Sequence, residues 1–143
     1  MDRRHFIGSS ALAALGLTLA GSGIARAAPR MRQLLPVPLN PGDTVGLVSP
    51  SGATDDSLSI QLAREAMEAL GLRVKVGVHA LSRNGHLAGT DAERAGDLNA
   101  MFADREVKGI ICVRGGSGAA RLLPLLDYER IRRNPKVLLD ALV

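Results

Sequence analysis

The run Val107-Lys108-Gly109-Ile110-Ile111-Cys112-Val113, followed at once by Arg114-Gly115-Gly116-Ser117-Gly118, constrains the fold most. Apart from Lys108 and Gly109 it is apolar without alternation, the pattern of a central strand covered on both faces. The glycines then turn the chain into a predicted helix carrying Leu122, Leu123, Leu125 and Leu126, with Pro124 inside the apolar run. A strand hidden on both sides needs parallel neighbours and helices above and below it.

The flanking sequence supplies them. Pro41-Gly42-Asp43 predicts a turn into a short strand, Thr44 to Ser49, that Ser49-Pro50-Ser51-Gly52 breaks. Asp55, Asp56 and Ser57 are candidate N-caps for a helix with Leu58, Leu62, Ala66 and Leu70 on one face and Gly71 at its end. Arg73 to Val78 reads as a second strand and residues 79–89 as a loop with Gly85 and Gly89. Thr90 and Glu93 form a capping box ahead of a helix buried through Ala95, Leu98 and Phe102. A short polar helix over Tyr128 to Arg133 leads to a fourth strand at Val137-Leu138-Leu139. Strand and helix alternate throughout, which predicts an α/β fold: a parallel sheet of about four strands with helices on both faces. Such sheets bind ligands at the carboxyl ends of their strands, so the loops Ser49–Gly52, Gly85–Gly89 and Arg114–Gly118 form the rim of interest.

Length and composition agree with one such domain. The chain has 143 residues, 46% hydrophobic and 22% charged, which supports a packed core and excludes whole-chain disorder. The single cysteine, Cys112, excludes an internal disulfide and a cysteine-based zinc cluster, and is expected to be buried. The aromatics are Phe6, Phe102 and Tyr128, too few for a base-stacking platform.

Residues 1–27 read as a targeting segment. Paired arginines at 3 and 4 precede Phe6, no charge occurs between Phe6 and Ala25, and Ala25-Arg26-Ala27 offers the small-x-small pattern of a signal peptidase site. This resembles a twin-arginine signal, which predicts export to the periplasm with cleavage after Ala27. Glycines 8, 16, 21 and 23 make it a poor membrane span, so no stable membrane anchor is expected after cleavage. Its removal takes three of the 18 basic and one of the 14 acidic side chains, leaving 15 against 13. With a net charge of +2 and no Lys/Arg run, no nucleic-acid footprint is expected, and the arginine excess reads as dispersed. Residues 28–41, with prolines at 29, 36, 38 and 41, read as an extended lead-in, and residues 42–143 as the α/β domain. No oligomeric state follows from the pattern.

The glycines at 115, 116 and 118 leave two readings open. A strand entering a helix through Gly-Gly-Ser-Gly can aim backbone N–H groups at an anion or oxyanion, or can simply allow tight strand-to-helix packing. It is not a dinucleotide fingerprint, because it follows the third strand and Arg121 stands where another glycine is required; no Gly-Lys-Ser/Thr marks a P-loop. Arg114 either orients a substrate carboxylate or pairs with a nearby acid. Ser49 and Ser51 read as turn residues with a possible part in substrate binding. His79 and His86 read as loop histidines with no carboxylate arranged beside them; no metal site and no cofactor are expected.

Three blocks carry a family resemblance. Asn40-Pro41-Gly42-Asp43-Thr44-Val45-Gly46-Leu47-Val48-Ser49-Pro50-Ser51-Gly52, then Ala88-Gly89-Thr90-Asp91-Ala92-Glu93-Arg94-Ala95 with Asp97-Leu98-Asn99, then Ile110 through Leu126 are similar, in order, to the N-terminal domain of the LD-carboxypeptidases. That serine-peptidase family includes murein tetrapeptide carboxypeptidases and microcin immunity peptidases. The resemblance covers Asn40 to about Leu139. It implies a flavodoxin-like or amidotransferase-like domain and a substrate in the murein peptides, cut at the amide between an L-residue and a terminal D-alanine. It further implies a Ser-His-Glu triad, with Gly115 and Gly116 in the loop whose N–H groups hold the oxyanion.

This sequence departs from the family's pattern at the chemistry. The family's nucleophile sits in Gly-x-Ser-Asp straight after the strand that here is Lys136 to Leu139, where this chain reads Asp140-Ala141-Leu142-Val143. No Ser, Thr or Cys follows Ser117 and no His follows His86, and Ser117 stands where the family usually has Tyr. The expectation is an incomplete domain that lacks the triad, with no catalytic residue of its own, and that is inactive alone. Gly115, Gly116, Ser117, Arg114, Ser49 and Ser51 are its oxyanion or substrate-binding candidates. The alternative is a periplasmic carboxylate-binding module without catalysis.

Overall fold

The structure, a computed structural model, describes residues 34–140 except Asp55. Residues 1–27, on which the expectation of an export signal falls, the first part of the lead-in and the candidate cap Asp55 lie outside the described residues.

The elements run β1 (Thr44–Val48), α1 (Ser57–Ala69), β2 (Arg73–Val76), α2 (Asp91–Ala103), β3 (Val107–Cys112), a 3₁₀ helix (Ser117–Leu125), α3 (Tyr128–Arg133) and β4 (Val137–Leu139). All four strands are parallel, in the order β2-β1-β3-β4. The α/β sheet expected from the alternation is therefore present, with its most apolar strand inside.

Alternate residues of the central strands feed two cores. Val45 and Leu47 of β1 and Ile111 of β3 pack with Ile60, Ala63 and Met67 of α1 on one face. Val48, Ile110 and Cys112 pack with Ala95, Leu98, Met101 and Phe102 of α2 on the other. The helix α2 approaches β1 so closely that a Cβ at Gly46 would lie 2.6 Å from the Met101 sulfur. Burial pushes the Cys112 thiol up to about 12, so it packs as a small apolar side chain.

β3 departs from a regular ladder at one place. Thr44 pairs with Val107 but Val45 pairs with Gly109, so Lys108 is an extra residue. This bulge lets both Val107 and Ile110 face α2 and turns Lys108 outward.

Two helix expectations need correcting. The Leu58, Leu62, Ala66 and Leu70 face of α1 is exposed, and Ile60, Ala63 and Met67 are buried instead. Both stripes have helical spacing, but Glu65 lies on the leucine stripe, seven residues after Leu58 and three after Leu62. Burying that stripe would bury an unpaired carboxylate; Glu65 instead accepts from the Gln61 amide at 2.9 Å on the solvent side. The segment after the glycines is 3₁₀ rather than α, and only Leu122 of its leucines is buried. Pro124 has no N–H to give an α-helical ladder. The caps fall as expected: Asp56 accepts from Ser59 N–H at 3.1 Å, and Thr90 and Glu93 form the capping box of α2.

The carboxyl end of α2 is closed by the segment before β4. Asn134 Nδ2 donates to Phe102 O at 2.8 Å, and the buried Lys136 ammonium donates to Met101 O and Asp104 O. Burial pulls Lys136 down to about 8 from 10.5, against the opposing pull of Asp104. Its charged form is thus disfavoured by folding, so this group makes the fold more stable as pH rises from 8 towards 10.5. Lys136→Met should lower stability by about 1–3 kcal/mol at neutral pH by leaving buried carbonyls unpaired. The gap between wild type and variant, measured by urea denaturation, should widen above pH 8.

Candidate functional site

The strand order reverses between β1 and β3, and in open α/β sheets ligands bind where it reverses, beyond the carboxyl ends of the strands. The loops after those two strands meet there. Val113 N–H donates to Val48 O at 2.9 Å, which holds the strands together up to the loops. Beyond it the glycine loop lies on the β1 loop. A Cβ at Gly118 would sit 2.5 Å from Leu87 Cδ2 and 2.9 Å from Ser51 Oγ. Gly116 has φ +135°, and a Cβ there would sit 2.8 Å from the same hydroxyl. Packing therefore accounts for two of the three glycines.

Gly115 faces a different neighbour. The ideal Cβ position there is 3.2 Å from both carboxylate oxygens of Asp140, the residue that follows β4. The carboxyl end of β4 is thereby placed against the glycine loop. Among the described residues, the N–H groups of Gly115 and Gly116 have no hydrogen-bond acceptor, and Gly116 is exposed. The two readings left open by the sequence are compatible: tight packing fixes one side of the loop, and free donors remain on the other.

The remaining candidates divide. Ser51 is buried under the glycines, while its carbonyl accepts from Ala88 N–H at 3.0 Å. Ser49 points elsewhere: its hydroxyl donates to Ala80 O at 2.9 Å and ties β1 to the loop after β2. Arg114 donates to Ala53 O at 3.0 Å, so it braces the β1 loop. Ser117 is exposed and begins the 3₁₀ helix.

Arg94 was not singled out by sequence reasoning. Its side chain is fully buried on α2. One terminal nitrogen donates to Pro50 O and, at 3.1 Å, to Gly118 O, which joins the β1 loop to the glycine loop. The other donates to Asp91 Oδ1, whose second oxygen accepts from Arg121 Nε at 3.0 Å. An arginine at the first turn of a capping-box helix reads as solvated, and nothing in the helical spacing marks it as buried.

His79 is the second omission. Contrary to the expectation of a loop histidine without a carboxylate, its Nδ1 lies 2.9 Å from Asp97 Oδ1, and its backbone N–H donates to Asp97 Oδ2 at 2.9 Å. Asp97 is buried at the foot of this pair, so α2 also fixes the start of the β2–α2 connection. The pair stands beyond β2, two strand spacings or roughly 10 Å across the sheet from β3, and forms no triad with Ser117. His86 is exposed, and its backbone carbonyl accepts from Ala53 N–H at 2.9 Å. Among the described residues no group of three or more His, Cys, Asp or Glu is placed to hold a metal ion, and no helix is long and apolar enough to cross a membrane.

This arrangement defines an α/β domain that presents backbone donors at the switch point of a parallel sheet. The chain belongs to the LD-carboxypeptidase family: residues 45–139 match the LD-carboxypeptidase N-terminal domain. It is similar to a probable murein peptide carboxypeptidase of Bacillus subtilis, 42% identical over 102 residues that cover 71% of this chain and 32% of that protein. It is also similar to a murein tetrapeptide carboxypeptidase of Pseudomonas aeruginosa, 32% identical over 62% of this chain and 28% of that protein. The crystal structure of an MccF-like protein from Bacillus anthracis superposes with a TM-score of 0.69 at 32% identity, covering 74% of this chain and 33% of that one. The chain spans about a third of the length of the curated relatives it matches.

Arg94→Met should destabilise the domain by about 1–3 kcal/mol, because it leaves the loop carbonyls of Pro50 and Gly118 without their buried donor while Asp91 keeps Arg121. Arg94→Lys, with one compact ammonium, should recover only part of that in chemical denaturation.

Proposed function

We propose that this chain is the N-terminal domain of an exported serine-type LD-carboxypeptidase, which cleaves the amide between an L-residue and the terminal D-alanine of murein tetrapeptides. In this reading Gly115 and Gly116 donate to the oxyanion of the tetrahedral intermediate, a role that removing one such donor typically shows to be worth ~3 kcal/mol of barrier. The observation that carries it is the pair of unengaged N–H groups beside the carboxyl end of β4, the point after which the family's nucleophile follows. Ser51 and Arg114 then act by holding the loop. Murein peptides as substrate are supported by the activities for which the relatives are named, and export by the paired arginines and the Ala25-Arg26-Ala27 pattern.

Among the described residues these bring scaffold and donors, and no serine hydroxyl is hydrogen-bonded to a histidine ring. The 143-residue chain should therefore bind a murein tetrapeptide through the glycine loop and release no D-alanine. Amide chemical shifts of Gly115, Gly116 and Ser117 should move on titration with the peptide. Shifts confined to another surface would remove the oxyanion assignment. D-alanine release by this chain would overturn the reading that it is inactive alone.

A further inference from the structure

The amino end of the sheet carries a feature the peptidase reading does not use. An open groove of about 570 Å³ lies there, lined by Phe102, Arg105, Lys108, Arg130, Arg133 and Asn134 with the small Ala103. That volume lies within the ~300–1,000 Å³ of small-molecule sites. Four of the lining side chains are cationic and none is acidic. The sequence shows no Lys/Arg run, because two of these cations come from the α2–β3 connection and β3, and two from α3. The reading of dispersed arginines is corrected here: the fold gathers four positive charges in one place.

Their local environment leaves two of them, Arg105 and Arg133, unpaired among the described residues. Helix carboxyl termini attract cations, and both α2 and α3 end at this groove. The terminal carbonyls are already occupied, however. Asn134 takes Phe102 O through its side chain and Arg130 O through its backbone N–H, and Lys136 takes Met101 O and Asp104 O. Arg130 is paired with Asp127 at 2.8 Å, and Lys108 is held forward by the bulge with its ammonium on Arg105 O at 2.9 Å. Among the described residues the guanidinium groups of Arg105 and Arg133 have neither a hydrogen-bond nor an ion-pair partner, and both are exposed. Asp104, Glu106 and Glu129 are the neighbouring acids in sequence, and none of them lines the groove.

From the unpaired Arg105 and Arg133 flanking Lys108 and Arg130 in one groove, we infer a binding site for a phosphate group, either free or in the headgroup of an anionic lipid. Two planar guanidinium forks accept a tetrahedral oxyanion at several oxygens at once, which favours phosphate over a single carboxylate. The site lies at the start of β3 and the glycine loop at its end, six residues or about 20 Å apart, so the two are separate.

The test titrates the 143-residue chain with inorganic phosphate by calorimetry, and separately with phosphatidylglycerol and phosphatidylcholine vesicles by co-sedimentation. Saturable phosphate binding should weaken about tenfold or more in the Arg105→Ser/Arg133→Ser double variant. It should change by less than about twofold in Arg64→Ser/Arg83→Ser, which removes the same charge elsewhere. Matched thermal melts check that all three proteins fold. Phosphate binding without vesicle binding identifies a free phosphate; binding to phosphatidylglycerol vesicles that phosphate competes away identifies the headgroup. The inference fails if neither probe saturates, or if the two double variants lose binding equally.

Discussion

The buried guanidinium of Arg94 is the interaction on which the rim of this domain depends. A charge with no exposed surface is stable only when its hydrogen bonds and counter-charge are supplied by the fold. Here the acceptors are carbonyls of two loops that belong to different strands, and the counter-charge is Asp91, one turn back on the same helix. The loops after β1 and β3 therefore cannot separate without exposing or stranding a charge. Only the Nε of Arg94 lacks an acceptor among the described residues. The glycines at 116 and 118 complete the same design from the other side, since any side chain there would push Ser51 and Leu87 away.

α2 emerges as the hub of the molecule. Its first turn holds the two loops through Arg94, its middle holds the β2 connection through Asp97 and His79, and Asn99 bonds Leu125 O and Asp127 N–H. Its last turn is closed by Asn134 and Lys136. A single helix thus fixes the position of every segment on its face of the sheet. Close approach to β1 makes this possible, and Gly46 is what allows it.

The alternation of strands and helices, the capping box, the buried run of β3 and the burial of Cys112 were all legible in the sequence, because each depends on local spacing or on one-dimensional apolarity. The wrong face of α1 shows where that logic stops. Two stripes had the right period, and the position of one glutamate decided between them. The site was half legible. Glycines placed after a central strand announce a loop, but not which neighbour demands them. Arg94, His79 and Asp97 escaped because their partners lie 18 to 44 residues away in the chain, and only the sheet order brings those partners in. The four-cation groove escaped for the same reason.

The two ends of this sheet expose different kinds of polarity, backbone N–H groups at one and side-chain cations at the other. At the carboxyl end the loops are tied by carbonyl acceptors: Pro50, Gly118, Ala53 and Ala80 all receive side-chain donors. The N–H groups of Gly115 and Gly116 remain without an acceptor there among the described residues, which is the polarity that the proposed oxyanion role would use. At the amino end the α2 and α3 carbonyls are also consumed, by Asn134 and Lys136, so the nearby arginines are not needed as caps. On the two proposals, one end would use backbone dipoles for a transient oxyanion and the other full charges for a standing anion. Fixed dipoles need no counter-ion and tolerate burial, which suits chemistry in a closed cleft; mobile exposed guanidinium groups suit reversible capture at a surface. The bulge at Lys108 lets β3 keep Val107 and Ile110 in the core while Lys108 between them faces solvent.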